Sequence, residues 1–227
     1  MPDLLTSNHK LDMATAHGWL AKGVSLLPGR KSGREFCPHR GACFRTCLDT
    51  AGHGASPVVE AARLWRSKLW IEAPEAYLGL LDREVGRHAE AAERRSLRAC
   101  VRLNVFSDIA WEEEAPDLFH SYPSVQFYDY TKSPERARAS LRPGWPPNYD
   151  LTYSWSENTT PWFASRFLRD GGRVAYVHRE GSDMPPVIQR ADHVDGDEHD
   201  LNFIHRPGVV QLLKPKGKLH TQHTRFA

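Results

Sequence analysis

Three of the chain's four cysteines, Cys37, Cys43 and Cys47, lie in one eleven-residue window. Iron–sulfur clusters are held by cysteine thiolates, usually four of them. Three thiolates on a short loop can therefore hold three irons of a four-iron cluster and leave the fourth iron open to a ligand that is not protein. If the segment between Cys43 and Cys47 is helical, both thiols share one face, because residues four apart are neighbours on a helix.

Two other interpretations of the same window stay open. Zinc is often bound by three cysteines and one histidine, and His39 is the obvious fourth ligand. The simplest alternative is three free thiols in a loop. Because clustered cysteines in a reducing compartment favour a metal over disulfides, we expect a metal site at the three cysteines. Cys100 opens a predicted strand and is expected to be a small core residue.

Composition places the chain among ordinary globular proteins. With 227 residues, of which 40% are hydrophobic, it suits one domain over 1–227, with an N-terminal extension at 1–22 and a basic tail at 214–227. A formal net charge of +2 is too small to argue for nucleic-acid binding by itself. No stretch approaches the ~18 apolar residues of a membrane helix, and the polar N-terminus lacks a signal sequence. We therefore expect a cytoplasmic protein with no membrane partner.

Strand-like and helix-like segments alternate along the chain. Helical patterns at 58–69 and 77–88 follow the cysteine window, and Ser133-Pro134 and Thr160-Pro161 are typical helix starts. This alternation predicts an α/β fold with mostly parallel strands, best described as a partial (β/α)6 barrel. Strands are predicted at 24–27, 100–106, 125–130, 149–155, 173–177 and 209–213.

The cysteine loop follows the first predicted strand, and chemistry in such folds lies at the carboxyl ends of the strands. Polar side chains at those ends are therefore candidate ligand-binding groups. Lys132, after the third strand, is a candidate catalytic residue that could pair with a carboxylate or phosphate. The alternative for Ser107 and Asp108 is helix capping, and for Lys132 it is solvation at a strand end. After the second and fourth strands the candidates are Asn104, Ser107, Asp108, Ser154, Ser156, Glu157 and Asn158.

The run 192–200 is dense in carboxylates and imidazoles. It could bind a divalent cation, although it lacks the length and positions of an EF-hand loop. A solvated acidic loop is the alternative, because charge runs usually face water. Asp197 is the second candidate catalytic residue. The basic tail could contact a phosphate backbone, or it could be a solvated terminus.

A three-cysteine loop after the first strand of a six-strand (β/α) barrel resembles the layout of radical S-adenosylmethionine enzymes. The spacing here is C-x5-C-x3-C, whereas that superfamily usually has C-x3-C-x2-C. The resemblance implies a [4Fe-4S] cluster on Cys37, Cys43 and Cys47 whose open iron chelates S-adenosylmethionine. It also implies S-adenosylmethionine contacts after strands two and four, and an electron donor such as a flavodoxin or ferredoxin.

Several separated blocks, in the same order, are similar to the bacteriophage "gene product 88-like" family. A phage context places the protein in the host cytoplasm and suggests a nucleoside or DNA base as the substrate. The blocks are Asn8-His-Lys-Leu11, the Cys-Pro-x-x-Gly-x-Cys-x-x-x-Cys loop, Val101-Arg-Leu-Asn104 with Ser107-Asp108, Phe127-Tyr-Asp-Tyr-Thr-Lys132, Asp195-Gly-Asp197 with Asp200, and Lys214-Pro-Lys-Gly217.

The expected activity is therefore that of an enzyme that generates a 5′-deoxyadenosyl radical. The radical would abstract a hydrogen atom from a small substrate, which then rearranges or receives a group, so both an isomerase and a transferase fit. Two alternatives stay open. One is a zinc-stabilised module that binds nucleic acid or protein, and the other is an iron–sulfur protein that does not use S-adenosylmethionine.

Overall fold

The computed structural model describes residues 2–50 and 52–220. Its centre is one eight-stranded sheet, so the predicted α/β class is confirmed. The strands are β1 (Leu5–Thr6), β2 (Trp19–Val24), β3 (Arg98–Arg102), β4 (Gln126–Thr131), β5 (Tyr149–Ser154), β6 (Arg173–Val177), β7 (Asp192–Asp195) and β8 (Val209–Leu213). The helices are α1 (His9–Asp12), α2 (Pro57–Glu72), α3 (Pro74–Arg94), α4 (Trp111–Glu114), α5 (Pro116–Ser121), α6 (Pro134–Ala139), α7 (Pro161–Arg169) and α8 (Pro186–Gln189).

The sheet is open and mostly parallel, with the strand order β1-β2-β3-β4-β5-β6-β8-β7. Strand β1 is antiparallel to β2, and every other neighbouring pair is parallel. From β2 to β6 the strands follow one another in chain order. Because such crossovers share one hand, their helices pack on the same face of the sheet. That face is the outer face, and the opposite one is the inner face.

The outer face holds the largest part of the core. Leu81 and Val85 on α3 belong to the same buried cluster as Val101 on β3 and Phe127 on β4. Buried Glu84 ties the N-terminal segment to this helix, because its carboxylate accepts hydrogen bonds from the backbone N–H groups of residues 4 and 5, at 3.0 and 2.7 Å. The helices on the outer face thus support the strands of the sheet.

The inner face is covered by two chain segments, 9–17 and 199–205. Leu11 and Leu201 from these segments pack with Trp19, Cys100 and Tyr128 of the sheet. Cys100 is fully buried there, so its predicted role as a core residue is confirmed. Residues 5–6 and 19–22 of the predicted N-terminal extension lie in the sheet itself.

Several predicted elements are confirmed in detail. Strands β6 and β8 have the predicted bounds, and helices start where proline follows a capping side chain. The hydroxyl of Ser133 accepts a hydrogen bond from the Arg136 N–H, and that of Thr160 accepts one from the Phe163 N–H. These are local signals, since cap and first turn are adjacent in sequence.

The predicted first strand was wrong, because the strand is β2 at Trp19–Val24 and not 24–27. Leu26 and Leu27 are buried, but the Leu27 N–H donates to the Ser67 hydroxyl of α2 at 2.8 Å instead of to a strand. Burial under a helix produces the same apolar run as a strand does. The cysteine loop still follows the first parallel strand.

The region 178–203, in which the sequence predicts no strand, contains α8 and the edge strand β7. The side chains at 192–195 are mostly charged and exposed, so this strand lacks the apolar pattern by which strands are predicted. Edge strands commonly carry charges, which prevent pairing with other chains. Among the described residues, none of the helices combines the length and the apolar character that a membrane-crossing segment needs.

Candidate functional site

The cysteine loop, of which the structure describes residues 25–50 and 52–56, lies across the carboxyl edge of the sheet. At its first half the Cys37 thiol donates to the Phe106 carbonyl at 3.2 Å. The Asp108 N–H donates to the Phe36 carbonyl at 2.7 Å. Both partners belong to the segment that follows β3, so this half of the loop is attached to the end of the neighbouring strand.

The second half of the loop reaches the ends of β5 and β6. The Ala42 N–H donates to Oε1 of Glu157 at 2.5 Å. Ala42 and Cys43 pack against the buried cluster that contains Trp155 and Tyr176. The loop therefore places its cysteines over the edge at which residues from several strands meet.

Two of the loop thiols, Cys37 and Cys47, are held in their neutral form when no metal is present. Burial raises the pKa of Cys37 to about 11 and the pKa of Cys47 to about 12. The nearby Cys43 adds a smaller contribution in the same direction to both pKa values. None of the three is in a disulfide. A metal would have to displace protons from these thiols, because the thiolate is the ligand form.

The thiols and the imidazole of the loop are side chains of the types that bind metals, but their positions in the structure do not form a metal site. Among the described residues, no three His, Cys, Asp or Glu side chains are close enough to hold a metal ion. His39, the predicted fourth zinc ligand, is exposed and lies near Glu135 at the start of α6. Binding therefore requires the loop to bring its sulfur atoms together, for an iron cluster and for zinc alike.

Asn104 is a predicted ligand-binding residue, but its side-chain amide is fully hydrogen-bonded within the protein. Its amide nitrogen donates to the Ile109 carbonyl and to Asp129 Oδ2, both at 3.0 Å. Its carbonyl oxygen accepts from the Ser107 hydroxyl at 2.7 Å, from the Ile109 N–H at 3.0 Å and from the Trp111 indole at 3.2 Å. Asn104 thus organises the turn after β3, and neither amide N–H is left for a ligand.

Asp108 does not cap a helix, and the capping alternative for Ser107 and Asp108 is wrong. One oxygen of Asp108 binds Arg136 at 2.5 Å, and the other accepts from the Lys132 N–H at 2.9 Å. Helix α4 begins only at Trp111, and no side chain caps its start. The bonds of Asp108 instead join the segments after β3 and β4.

Lys132 and Ser154 are brought together by the parallel register of β4 and β5. The Lys132 ammonium donates to the Ser154 hydroxyl at 2.9 Å and to the Trp155 carbonyl at 3.3 Å. The structure therefore places this candidate catalytic lysine at the carboxyl edge, as predicted, beside one of the residues predicted to bind a cofactor.

The remaining candidates after β5 differ in exposure. Ser156 is buried, and its N–H donates to the Thr159 hydroxyl at 2.8 Å, which shapes the turn. Asn158 is exposed. Glu157 is half-buried, and its Oε2 has no hydrogen-bond partner among the residues that the structure describes. Of these residues, Glu157 is the one in direct contact with the cysteine loop.

Asp197 lies elsewhere, in the segment after β7. It accepts from the Lys214 N–H at 2.7 Å and pairs with Lys216 at 2.5 Å. These bonds lower the pKa of Asp197, although burial acts against them. The divalent-cation interpretation of 192–200 gains no support, because no such ligand group exists among the described residues. The tail beyond residue 220 lies outside the described part of the chain.

A buried polar cluster on the inner face was not predicted. Arg102 binds both oxygens of Asp200 at 3.0 and 3.1 Å, and its guanidinium lies 4.7 Å from the centre of the Tyr130 ring. Lys10 lies 3.6 Å from Asp200, and the Tyr130 hydroxyl lies 3.3 Å from Gln211 Oε1. The sequence did contain a signal for this cluster, because Arg102 and Gln211 are a charged and an amide side chain inside otherwise apolar strands.

The similarity to known proteins extends over nearly the whole chain. The family model described as "Gene product 88" matches residues 3–227. The chain belongs to the gene product 88 family. This membership confirms the family predicted from the sequence blocks. It supplies no evidence for the radical S-adenosylmethionine resemblance. Comparison with curated proteins gave no match. Comparison with solved structures gave none either.

Proposed function

We propose that this member of the gene product 88 family is an iron–sulfur enzyme that binds a [4Fe-4S] cluster through Cys37, Cys43 and Cys47. The observation that carries the proposal is the position of the loop. Cys37 contacts the segment after β3, and Ala42, which precedes Cys43, contacts the segment after β5, so the loop lies over the carboxyl edge of a parallel sheet. An edge of this kind is where parallel α/β folds bind their ligands.

We propose further that the sheet curves into a partial barrel. Strands β4 and β8 are separated by β5 and β6, which would put them about 14 Å apart in a flat sheet. Yet the Tyr130 hydroxyl and Gln211 Oε1 lie 3.3 Å apart. Lys10 also spans from the N-terminal segment beside β2 to the Gly196 carbonyl after β7, at 2.9 Å. Both contacts favour an inner face that is concave.

The concave inner face supports a polar small molecule as the substrate. Arg102, Tyr130 and Gln211 point from three different strands into it, and Asp197 and Lys10 lie beside it. A nucleoside or DNA base has donors and acceptors along its edges, and it would have to take over hydrogen bonds that Arg102 now makes to Asp200 and that Tyr130 and Gln211 make to each other. S-adenosylmethionine would be the co-substrate, a flavodoxin or ferredoxin would supply electrons, and Lys132 is the candidate catalytic residue.

Bound cluster and S-adenosylmethionine would supply a radical on reduction, whereas the protein orients the substrate and excludes water. The test begins with anaerobic purification and reconstitution with iron and sulfide. We expect a brown protein with about four irons per chain. Cys37→Ala, Cys43→Ala and Cys47→Ala should each reduce the iron content strongly. Cys100→Ala is the matched control, because this thiol is buried in the core away from the loop and its loss should leave the iron content unchanged.

Release of 5′-deoxyadenosine on reduction then separates an S-adenosylmethionine enzyme from another iron–sulfur protein. A zinc module is the alternative function, because three cysteines and one histidine are a common zinc ligand set. It predicts a colourless protein with one zinc per chain and salt-sensitive DNA binding. A colourless zinc protein after anaerobic reconstitution would overturn the iron–sulfur proposal.

A further inference from the structure

Several hydrogen-bond donors of the inner face converge on one carboxylate, that of Asp200. Nη1 of Arg102 donates to both of its oxygens, at 3.0 and 3.1 Å, and the Lys10 ammonium lies 3.6 Å away. The Tyr128 hydroxyl lies 3.4 Å from Oδ2. Asp200 belongs to the covering segment 199–205 and not to the sheet, so the sheet and the N-terminal segment together hold an oxyanion that another segment supplies.

The guanidinium of Arg102 has donors that this internal carboxylate does not use. Both oxygens of Asp200 bind the same nitrogen, and Nε is buried without a hydrogen-bond partner among the described residues. An oxyanion that met the guanidinium edge-on would bind two nitrogens at once. This is the geometry in which arginine recognises phosphate and carboxylate groups.

The charges around the internal carboxylate favour an anion with more than one negative charge. Arg102 and Lys10 both face it, whereas Asp197 is paired with Lys216 at 2.5 Å. Asp129 also acts on Arg102, but burial raises the pKa of Asp129 to about 7, so near neutral pH it carries only part of a charge. A phosphate group, with about −1.5 to −2 charges at pH 7, would balance the two cations better than one carboxylate does.

Two further polar atoms of the inner face have no partner among the described residues. Thr152 and Asn202 are 0% and 1% exposed, yet Oγ1 of Thr152 and Oδ1 of Asn202 make no hydrogen bond. Thr152 lies beside Tyr130 in the register of β5 and β4, and the Asn202 backbone carbonyl accepts from Gln211, which contacts Tyr130. Buried polar atoms without partners are uncommon and often mark a place for water or a ligand. An acceptor such as Asn202 Oδ1 suits the hydroxyl and N–H donors of a nucleoside.

We infer that the inner face binds a phosphate group at Arg102 and Lys10, and that Asp200 occupies this position until the ligand displaces it. The substrate class is then a phosphorylated nucleoside rather than a free nucleoside or base. The inference rests on the proposed function for the choice of the inner face as the substrate site. The phosphate site itself needs no iron–sulfur cluster, so it is tested on the chain without metal.

The first test measures binding of inorganic phosphate by isothermal titration calorimetry at constant ionic strength. Asp200→Ala removes the internal competitor and should bind phosphate at least about tenfold more tightly than the wild type, because donors to a charged group become free. Asp200→Asn removes the charge but keeps the shape of the side chain. It should also bind more tightly, and it gives the comparison if Asp200→Ala does not fold.

Two further variants show whether the effect belongs to this site. Arg102→Gln combined with Asp200→Ala should return the phosphate affinity to the wild-type level or below, and it leaves no buried arginine without its carboxylate. Asp170→Ala is the matched control. It makes the same change of charge beside Arg166 at an exposed pair on α7, and it should leave phosphate binding unchanged.

The second test asks whether the phosphate belongs to a nucleotide. Asp200→Ala is titrated with each of the four 2′-deoxynucleoside 5′-monophosphates, with the matching nucleosides and with inorganic phosphate. We expect at least one monophosphate to bind about tenfold or more tightly than both its nucleoside and inorganic phosphate, because it would contact the cations and the unpartnered atoms together.

The outcomes separate the site, its ligand and the proposed function. Equal phosphate affinity in the wild type and both Asp200 variants, or tight binding that survives the loss of Arg102, would overturn the phosphate site. If no monophosphate binds more tightly than inorganic phosphate, a nucleotide is wrong as the substrate class. A wild-type chain that takes up no iron on reconstitution would overturn the proposed function instead, and the titrations would still decide whether the inner face binds phosphate.

Discussion

Replacement of Asn104 by alanine should destabilise the protein strongly, even when no ligand is present. Asn104 is 1% exposed, and its amide group makes five hydrogen bonds within the turn after β3. Alanine would leave the Ile109 carbonyl and N–H, the Ser107 hydroxyl and the Trp111 indole N–H without these partners. A residue that only bound a cofactor would show no such effect in the apoprotein.

The size of the effect follows from these orphaned groups. Each buried polar group left unpaired costs about 1–3 kcal/mol, and water admitted to the small space left by the side chain offsets part of this. Four groups therefore predict a decrease of about 3–5 kcal/mol in the free energy of unfolding. Domains of this size are typically stable by about 5–15 kcal/mol, so the variant should still fold.

Urea denaturation followed by far-UV circular dichroism measures this change. With a slope of about 2 kcal/mol per molar urea, the midpoint should fall by about 1.5–2.5 M. Asn158→Ala is the control, because Asn158 is exposed in the turn after β5 and its loss should cost less than about 0.5 kcal/mol. A decrease of under 1 kcal/mol for Asn104→Ala would refute the structural role and favour the ligand-binding role predicted from the sequence.

Three further predictions concern other polar groups. Burial raises the pKa of Asp129 to about 7, so between about pH 4 and pH 7 the folded protein keeps a proton that the unfolded chain has lost. Stability should therefore fall by about 2–4 kcal/mol as the pH rises from 4 to 7, and Asp129→Asn should flatten this trend in urea titrations; an unchanged trend would contradict the assignment. Asp200→Ala leaves the partly buried Arg102 guanidinium without its carboxylate and should lower stability by about 2–4 kcal/mol in the same assay, whereas a loss below 1 kcal/mol would show that the pair contributes little. Thr160→Ala removes the N-cap of α7 and should lower the free energy of unfolding by about 1 kcal/mol, with Thr160→Ser as the control that keeps the hydroxyl.

Local chemistry made part of the fold predictable. Ser133 and Thr160 cap helices because each hydroxyl reaches an N–H three residues later, a relation contained in the sequence itself. The same reasoning failed at Ser107 and Asp108. There, Asn104 and Arg136 compete successfully for the side chains, and Arg136 is distant in sequence. Propensity identifies a residue that can cap, but tertiary contacts decide whether it does.

The candidate site was predictable to a similar extent. The cysteines, Lys132 and the residues after β5 were identified because residue type and position at a strand end are visible in the sequence. The bond from Ala42 to Glu157 and the pair formed by Arg102 and Asp200 join residues 115 and 98 positions apart. No local pattern reports such separations.

The sequence alone determined that three thiols, the groups with which this protein could do chemistry, lie in one short loop. It also determined the alternation of strands and helices that puts this loop at the carboxyl edge of a parallel sheet. The tertiary structure decided which polar side chains at the strand ends bond to other groups near the strand ends and which bond to the cysteine loop. The side chains of Asn104 and Asp108 bond to Asp129 and Arg136, whereas the carboxylate of Glu157 accepts a hydrogen bond from the loop. The physical reason is that a buried polar group must find a partner, and the fold, not the local sequence, determines which partner is within reach.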